Sequence, residues 1–217
     1  MTTSKAAPKG HRSSPAGRQT VDRQVRVLPR TLKARNRPTD TALQRHIAFF
    51  DDNGDRGVDV AECARGLKAL GLPVGVAEAA ALAIVAPLSL QTRGSLLAMN
   101  IDVDNAQKGV HAGDTGILDK AGRFNAARFE KAFGARSTVD RNGDKVFTAA
   151  ELTRMVIANR QTLVGYVAAI AEWQVLLALA ADTTASEDGR TVPALSVARV
   201  KSFYDGTLFY KLVREHA

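Results

Sequence analysis

Residues 51–62, Asp51-Asp52-Asn53-Gly54-Asp55-Arg56-Gly57-Val58-Asp59-Val60-Ala61-Glu62, constrain this chain more than any other stretch. Oxygen-bearing side chains recur at alternate positions and the run closes on a glutamate. Calcium takes six to eight oxygen ligands, and a twelve-residue loop supplies them from positions 1, 3, 5, 7, 9 and 12. Here those are Asp51, Asn53, Asp55, the Gly57 carbonyl, Asp59 and Glu62. Asp59 and Glu62 also suit the start of an exiting helix, so metal loop and helix cap are one device. Val58 stands where such loops pair through a short β-bridge. Arg56 departs from the pattern: it occupies the place of the turn glycine, where a positive φ costs about 1 kcal/mol, and its charge opposes a cation.

The pattern recurs at residues 140–151, with Asp140, Asn142, Asp144, the Val146 carbonyl, Thr148 and Glu151 as ligands and Lys145 at the glycine position. This loop has one carboxylate fewer, and the helix before it stops early at Gly134, so it should bind more weakly. A turn followed by a capped helix without metal is the competing reading of either loop. The flanking pattern is helical. Thr39 or Asp40 can cap a helix carrying Leu43, Ile47 and Phe50, a second helix covers residues 60–70, and an Ala-rich third covers residues 76–86 until Pro87. Residues 91–94 read as a turn, residues 95–101 as a short apolar segment of either type, and residues 102–122 as a long glycine-bearing loop. Asn125 caps a helix carrying Phe129 and Phe133, and Thr148 with Glu151 opens another. Residues 162–181 read as a buried core helix, since Glu172 penalises a membrane span. Thr191 and Pro193 are read as starting a last helix toward Tyr204. The expectation is a mainly α fold: an EF-hand-type helix-loop-helix pair in a single helical domain, residues 39–217.

Charge separates the rest of the chain. The 217 residues carry 30 Lys and Arg against 22 Asp and Glu, a net +8 that suggests nucleic acid or an anionic surface. Residues 1–38 hold ten of the basic groups and one acid, and have no sustained apolar period, so they read as a disordered basic arm. The remainder has 20 basic and 21 acidic groups, which leaves no basic surplus for nucleic acid. The lone Cys63 excludes an intrachain disulfide and agrees with an intracellular setting.

Two of the four histidines are placed for chemistry. His46 lies five residues before Asp51 on the entering helix, and His111 lies in a glycine-rich loop; imidazole is a common iron ligand and the usual acid or base near neutral pH. For each alone, a hydrogen-bonded structural role is the competing reading.

Several motifs together resemble one family. Leu43-Gln-Arg-His46-Ile-Ala-Phe-Phe-Asp51, Gly66-Leu-Lys-Ala-Leu-Gly71, Lys108-Gly-Val-His111-Ala-Gly-Asp-Thr-Gly116, Gly122-Arg-Phe124, Phe129-Glu130, Glu172-Trp-Gln-Val175 and Tyr204-Asp-Gly-Thr-Leu-Phe-Tyr210 are similar, in this order, to signatures of the caleosins. The resemblance covers residues 40–212. It implies calcium (Ca2+) at residues 51–62, haem b held through His46 and His111, and transfer of oxygen from a fatty-acid hydroperoxide to an unsaturated lipid or similar acceptor. A calcium-binding structural or sensor protein without haem or turnover is the alternative. Caleosins also carry a proline-rich knot that anchors them to lipid droplets. Residues 76–101 contain Pro87 alone and are interrupted by Gln91, Arg93 and Gly94, which does not support a buried hairpin anchor. The basic arm offers an electrostatic hold on an anionic membrane or lipid-droplet surface instead. The expected location is cytosolic or peripheral on such a surface, with a homo-oligomer left open.

Overall fold

The computed structural model describes residues 37–109, 116–134, 138–158 and 163–215, excepting the side chains of residues 163–168 and 171. The basic arm, apart from its last two residues, and His111 lie outside the described residues.

The fold is mainly helical and opens with a helix-loop-helix. Helix α1 (Ala42–Ala48) is capped by Thr41, one or two residues later than the sequence suggests, because Gln44 returns a hydrogen bond to the Thr41 backbone and closes a capping box. Strand β1 (Gly57–Asp59) and helix α2 (Val60–Leu70) follow. Gly66 of α2 faces Phe50, and a Cβ there would come within 2.3 Å of the ring, so only glycine lets the two helices approach.

Helix α3 (Val76–Arg93) runs through Pro87 where a stop was expected. A proline inside a helix costs about 3 kcal/mol, chiefly through the lost bond to the preceding turn. Here Pro87 and Ala83 lie on the exposed side, where water can satisfy the freed carbonyl. The buried side is held instead: Ala77, Ala81, Val85, Ser89 and Thr92 form one stripe. Asn100 N–H donates to Ser89 Oγ and Asp102 N–H to Thr92 Oγ1, which fixes strand β2 (Asn100–Asp102) against the helix. A 3₁₀ segment, Val103–Gly109, occupies the start of what the sequence offered as loop.

The second half begins with α4 (Ala126–Phe133), capped by Asn125 as expected. Strands β3 (Thr138–Val139) and β4 (Lys145–Thr148) flank the second acidic loop and lead into α5 (Ala149–Ala158) and α6 (Leu163–Ala180). Trp173, Leu176, Leu177 and Ala180 of α6 are buried in the core, and among the described residues no helix is long and apolar enough to cross a membrane.

The segment around Pro193 is strand, not helix. Strands β5 (Thr183–Glu187) and β6 (Arg190–Ser196) form a hairpin whose two-residue turn, Asp188-Gly189, has positive φ at both positions, as a type I′ turn requires. Pro193 is tolerated in a central strand because β4 ends opposite Ala194, so no ladder partner needs its missing N–H on that side. The sheet order is β3-β4-β6-β5. Helices α7 (Val197–Tyr204) and α8 (Leu208–Glu215) close the chain.

Two large buried clusters result among the described residues, with a small third of Val146, Ala185 and Ala194 on the sheet. One lies under α1, α2, α3 and the β1–β2 pair. The larger is aromatic and draws Phe49, Phe129, Phe133, Phe147, Trp173 and Tyr204 from distant segments. Phe50 packs against both.

Candidate functional site

In residues 51–62 the side chains are already turned toward the loop's own amides. Asp51 is fully buried and accepts the N–H groups of Gly54 and Arg56 at 2.8 and 3.0 Å. Asn53 Oδ1 accepts Asp55 N–H, and Asp55 Oδ1 accepts Gly57 N–H. Glu62 accepts Asp52 and Asn53 N–H on Oε1 and Asp59 N–H on Oε2. Burial pushes the Asp51 and Glu62 carboxyls above their usual range, with Asp55 and Asp59 adding like-charge repulsion and the amide donors opposing it. Among the described residues no three acidic, imidazole or thiol groups are gathered at metal-binding spacing.

Arg56 does have the positive φ, +68°, that the pattern demands. Its charge, however, turns away from the loop: the buried guanidinium donates to both Asp40 oxygens at 3.1 and 2.9 Å and to Asp104 Oδ1 through Nε and Nη2.

Val58 pairs as expected, but its partner is Ile101 of β2 and not the loop at 140–151. If Ile101 is set at the same loop position as Val58, residues 94–105 become a second twelve-residue loop that starts just where α3 ends. Its first, third and fifth positions are Gly94, Leu96 and Ala98, which offer no side-chain oxygen. Asp102 repeats the capping role of Asp59, its Oδ1 accepting Asn105 N–H, while the Asn105 amide donates to Asp102 Oδ2 and does not accept a backbone N–H as Glu62 does. A sequence search for ligands passes over this loop because the ligands are what it lacks.

The loop at 140–151 is a β-hairpin turn entered from β3, not from a helix. Asp140 Oδ1 accepts the N–H groups of Asn142 and Asp144, and Thr148 Oγ1 accepts Glu151 N–H. The hairpin β5–β6 intrudes: Thr183 Oγ1 donates to Asp140, and Thr148 Oγ1 to Glu187. Glu151 Oε1 accepts from Thr138, while its Oε2 is buried without a hydrogen-bond partner.

His46 sits in the last turn of α1, against Phe203 of α7 at 4.9 Å and Phe209 of α8 at 4.6 Å between ring centroids. A little of the residue still reaches solvent. Apolar crowding nevertheless lowers its pKa to about 4, opposed by a hydrogen bond to the Phe203 backbone. Trp173 packs against Phe203 at 5.6 Å between ring centroids, and Tyr210 donates to the Arg45 carbonyl. Segments over 160 positions apart thus meet around one imidazole.

These same segments are matched by a family model described as caleosin related protein, over residues 38–213. The chain belongs to the caleosins. This caleosin is 33% identical over 183 residues to "Probable peroxygenase 4" of Arabidopsis thaliana, covering 82% of this chain and 88% of that protein. It is 30% identical to "Peroxygenase" of Lilium longiflorum, covering 82% of this chain and 72% of that protein. A third relative, "Probable inactive peroxygenase-like protein" of Arabidopsis thaliana, is 29% identical over 48% of this chain. No solved structure matches it.

The caleosin's donor atoms suit the groups its family implies. The 51–62 loop offers only oxygen, and a cation would offset the burial of Asp51 and Glu62. The orphaned Glu151 Oε2 is the atom a second cation would take at position 12. At His46, the Phe203 carbonyl fixes one ring nitrogen as the donor and leaves the other as a lone pair on a neutral imidazole, the form that ligates iron.

Proposed function

We propose that this caleosin is a calcium-binding haem peroxygenase, which passes one oxygen atom from a fatty-acid hydroperoxide to an unsaturated lipid or similar acceptor and releases the corresponding alcohol. The observation that carries the reading is His46: a neutral imidazole, tautomer set by a backbone carbonyl, packed against Phe203 and against Phe209 of a family motif. Two relatives named peroxygenases, aligned over most of the chain, support it. His46 would hold haem b together with His111, the second histidine the family resemblance implies. The chemistry haem supplies when bound is heterolysis of the peroxide O–O bond and delivery of its oxygen. The protein's share is local. Phe203 and Phe209 crowd the imidazole, and the Phe203 carbonyl holds its N–H in place. Asp51, Asn53, Asp55, the Gly57 carbonyl, Asp59 and Glu62 form an EF-hand cation site one turn away, with 94–105 as its unliganded partner and 140–151 as a weaker site.

A relative named inactive supports the second reading, a calcium-dependent structural or sensor protein without turnover. An absorbance spectrum of the full chain purified with haem supplied separates them. A Soret band with hydroperoxide-dependent epoxidation is expected; absence of the band rejects the enzyme.

A lipid surface is the proposed partner. From Ala79 to Gln91 helix α3 has no charged residue. Its outer face shows Val76, Leu82 and Leu90 beside the exposed Leu96 and Leu97, the last 94% exposed. One continuous helix lying in an interface, with the basic arm on anionic headgroups, replaces the hairpin anchor. Leu82→Glu with Leu90→Glu should lower co-flotation with vesicles of mixed neutral and anionic phospholipid by about tenfold or more, since each leucine contributes about 1.5–3 kcal/mol when buried. Unchanged flotation would reject this face.

A further inference from the structure

The sixth position of the first loop is tied to more of the molecule than a turn residue needs to be. Through its backbone, Arg56 N–H donates to Asp51 Oδ2, the first ligand position, and the Arg56 carbonyl accepts Val103 N–H at 3.0 Å. Through its side chain, the guanidinium holds Asp40, the residue before the α1 cap, and Asp104, the second residue of the 3₁₀ segment. Arg56 and Asp40 are both more than nine-tenths buried. A buried planar fork shared between two carboxylates is geometrically exacting, because either partner left alone keeps an uncompensated charge. The left-handed φ narrows the choice further, since a side chain at +68° persists only where its surroundings hold it.

From this we infer that Arg56 is a relay: cation binding at residues 51–62 is passed through the Arg56–Asp104 pair to the 3₁₀ segment Val103–Gly109, which runs directly into the stretch carrying His111. When Asp51 closes on a cation, the Arg56 N–H bonded to it must follow, and the rigid guanidinium moves Asp104 with it. Asp40 anchors the other tine at α1, so the motion is directed toward Asp104, which is half exposed and freer to respond. The bond to Asp51 is made by the Arg56 backbone and survives truncation of the side chain, so the side-chain pair with Asp104 is the part of the relay that mutation removes. The backbone ladder β1–β2 offers a competing route, and the two are separable because the ladder survives removal of either side chain.

The inference rests on the calcium reading of the first loop, and the test distinguishes the two. Amide hydrogen exchange is followed by mass spectrometry on the full chain, with chelator or with about 1 mM calcium, in peptides covering 51–62 and 103–109. Calcium should slow exchange in both by about tenfold, within the lower part of the range for coupling between sites. In Asp104→Ala, which removes a half-exposed side chain and leaves the Arg56–Asp40 pair, residues 51–62 should still respond while 103–109 change less than about twofold. Arg56→Gly should behave likewise. An undiminished response of 103–109 in both variants assigns the coupling to the ladder and overturns the relay alone. Loss of the response at 51–62 in the variants makes Arg56 part of the loop's own frame and also overturns it. No response at 51–62 in the wild type overturns the calcium reading, and the relay with it.

Discussion

Calcium at about 1 mM should raise the melting temperature of the wild-type chain by about 5–10 °C and that of Glu62→Gln by less than about 1 °C. A ligand present at a hundred times its dissociation constant adds about 2.7 kcal/mol, and in a chain of this size each kcal/mol moves the midpoint by about 2–4 °C. Glu62 is the largest single lever because it stands at the closing position of the proposed site and is nearly fully buried. The amide keeps an oxygen for the N–H groups of Asp52 and Asn53, and Asp59 still caps α2 through the Glu62 position's backbone N–H, so the loop should survive with only the Asp59 N–H bond lost. The carboxyl's raised pKa gives the sign with pH. An acid whose folded pKa lies above its unfolded one favours folding below the unfolded value, and that contribution is lost as pH rises through the folded pKa. Asp51 behaves in the same way. At neutral pH both therefore oppose folding until a cation offsets them, and the calcium-dependent shift should shrink on acidification. An equal shift in Glu62→Gln would remove residues 51–62 as the binding site.

His46 carries the other large effect, with the opposite dependence on pH. Its folded pKa, about 4, lies below the ordinary value of 6.5, so the unfolded chain takes up the proton first. Its contribution is complete above about pH 6.5 and is lost as pH falls toward 4. At about 1.4 kcal/mol per unit the loss is at most about 3.5 kcal/mol. Urea unfolding at pH 7, 5.5 and 4.5 should show this slope in the wild type and a shallower one in His46→Asn. Identical slopes would mean that the imidazole is not confined by Phe203 and Phe209 as described. In protein supplied with haem, His46→Ala should lose the Soret band as well.

The first acidic loop was legible because its chemistry is written at alternate positions. Its partner was not: Gly94, Leu96 and Ala98 erase that pattern, and only the pairing of Val58 with Ile101 reveals the loop. Arg56 was read correctly as a left-handed turn residue but not as neutralised, since Asp40 and Asp104 lie 16 and 48 positions away. The β5–β6 hairpin left a local mark in Asp188-Gly189, and Pro193 masked it. Helix α3 outlasted Pro87 because the stabilising contacts of Ser89 and Thr92 come from a strand beyond the helix. His46 was singled out by its place beside the loop, while the aromatic rings around it become neighbours only when the chain's ends meet.

That meeting of ends sets an order on synthesis. Arg45 donates to the Asp205 carbonyl and accepts from Tyr210, across 160 and 165 positions. Gly206 approaches the Ala42 carbonyl so closely that a Cβ would lie 2.2 Å from it. The half of the chain holding the first acidic loop leaves the ribosome early, yet α1 has no final resting place until the last two helices emerge. For most of translation the ring of Phe49 therefore waits without Phe209 and Tyr210, while Phe50 already has Gly66 and the first-half cluster to pack on.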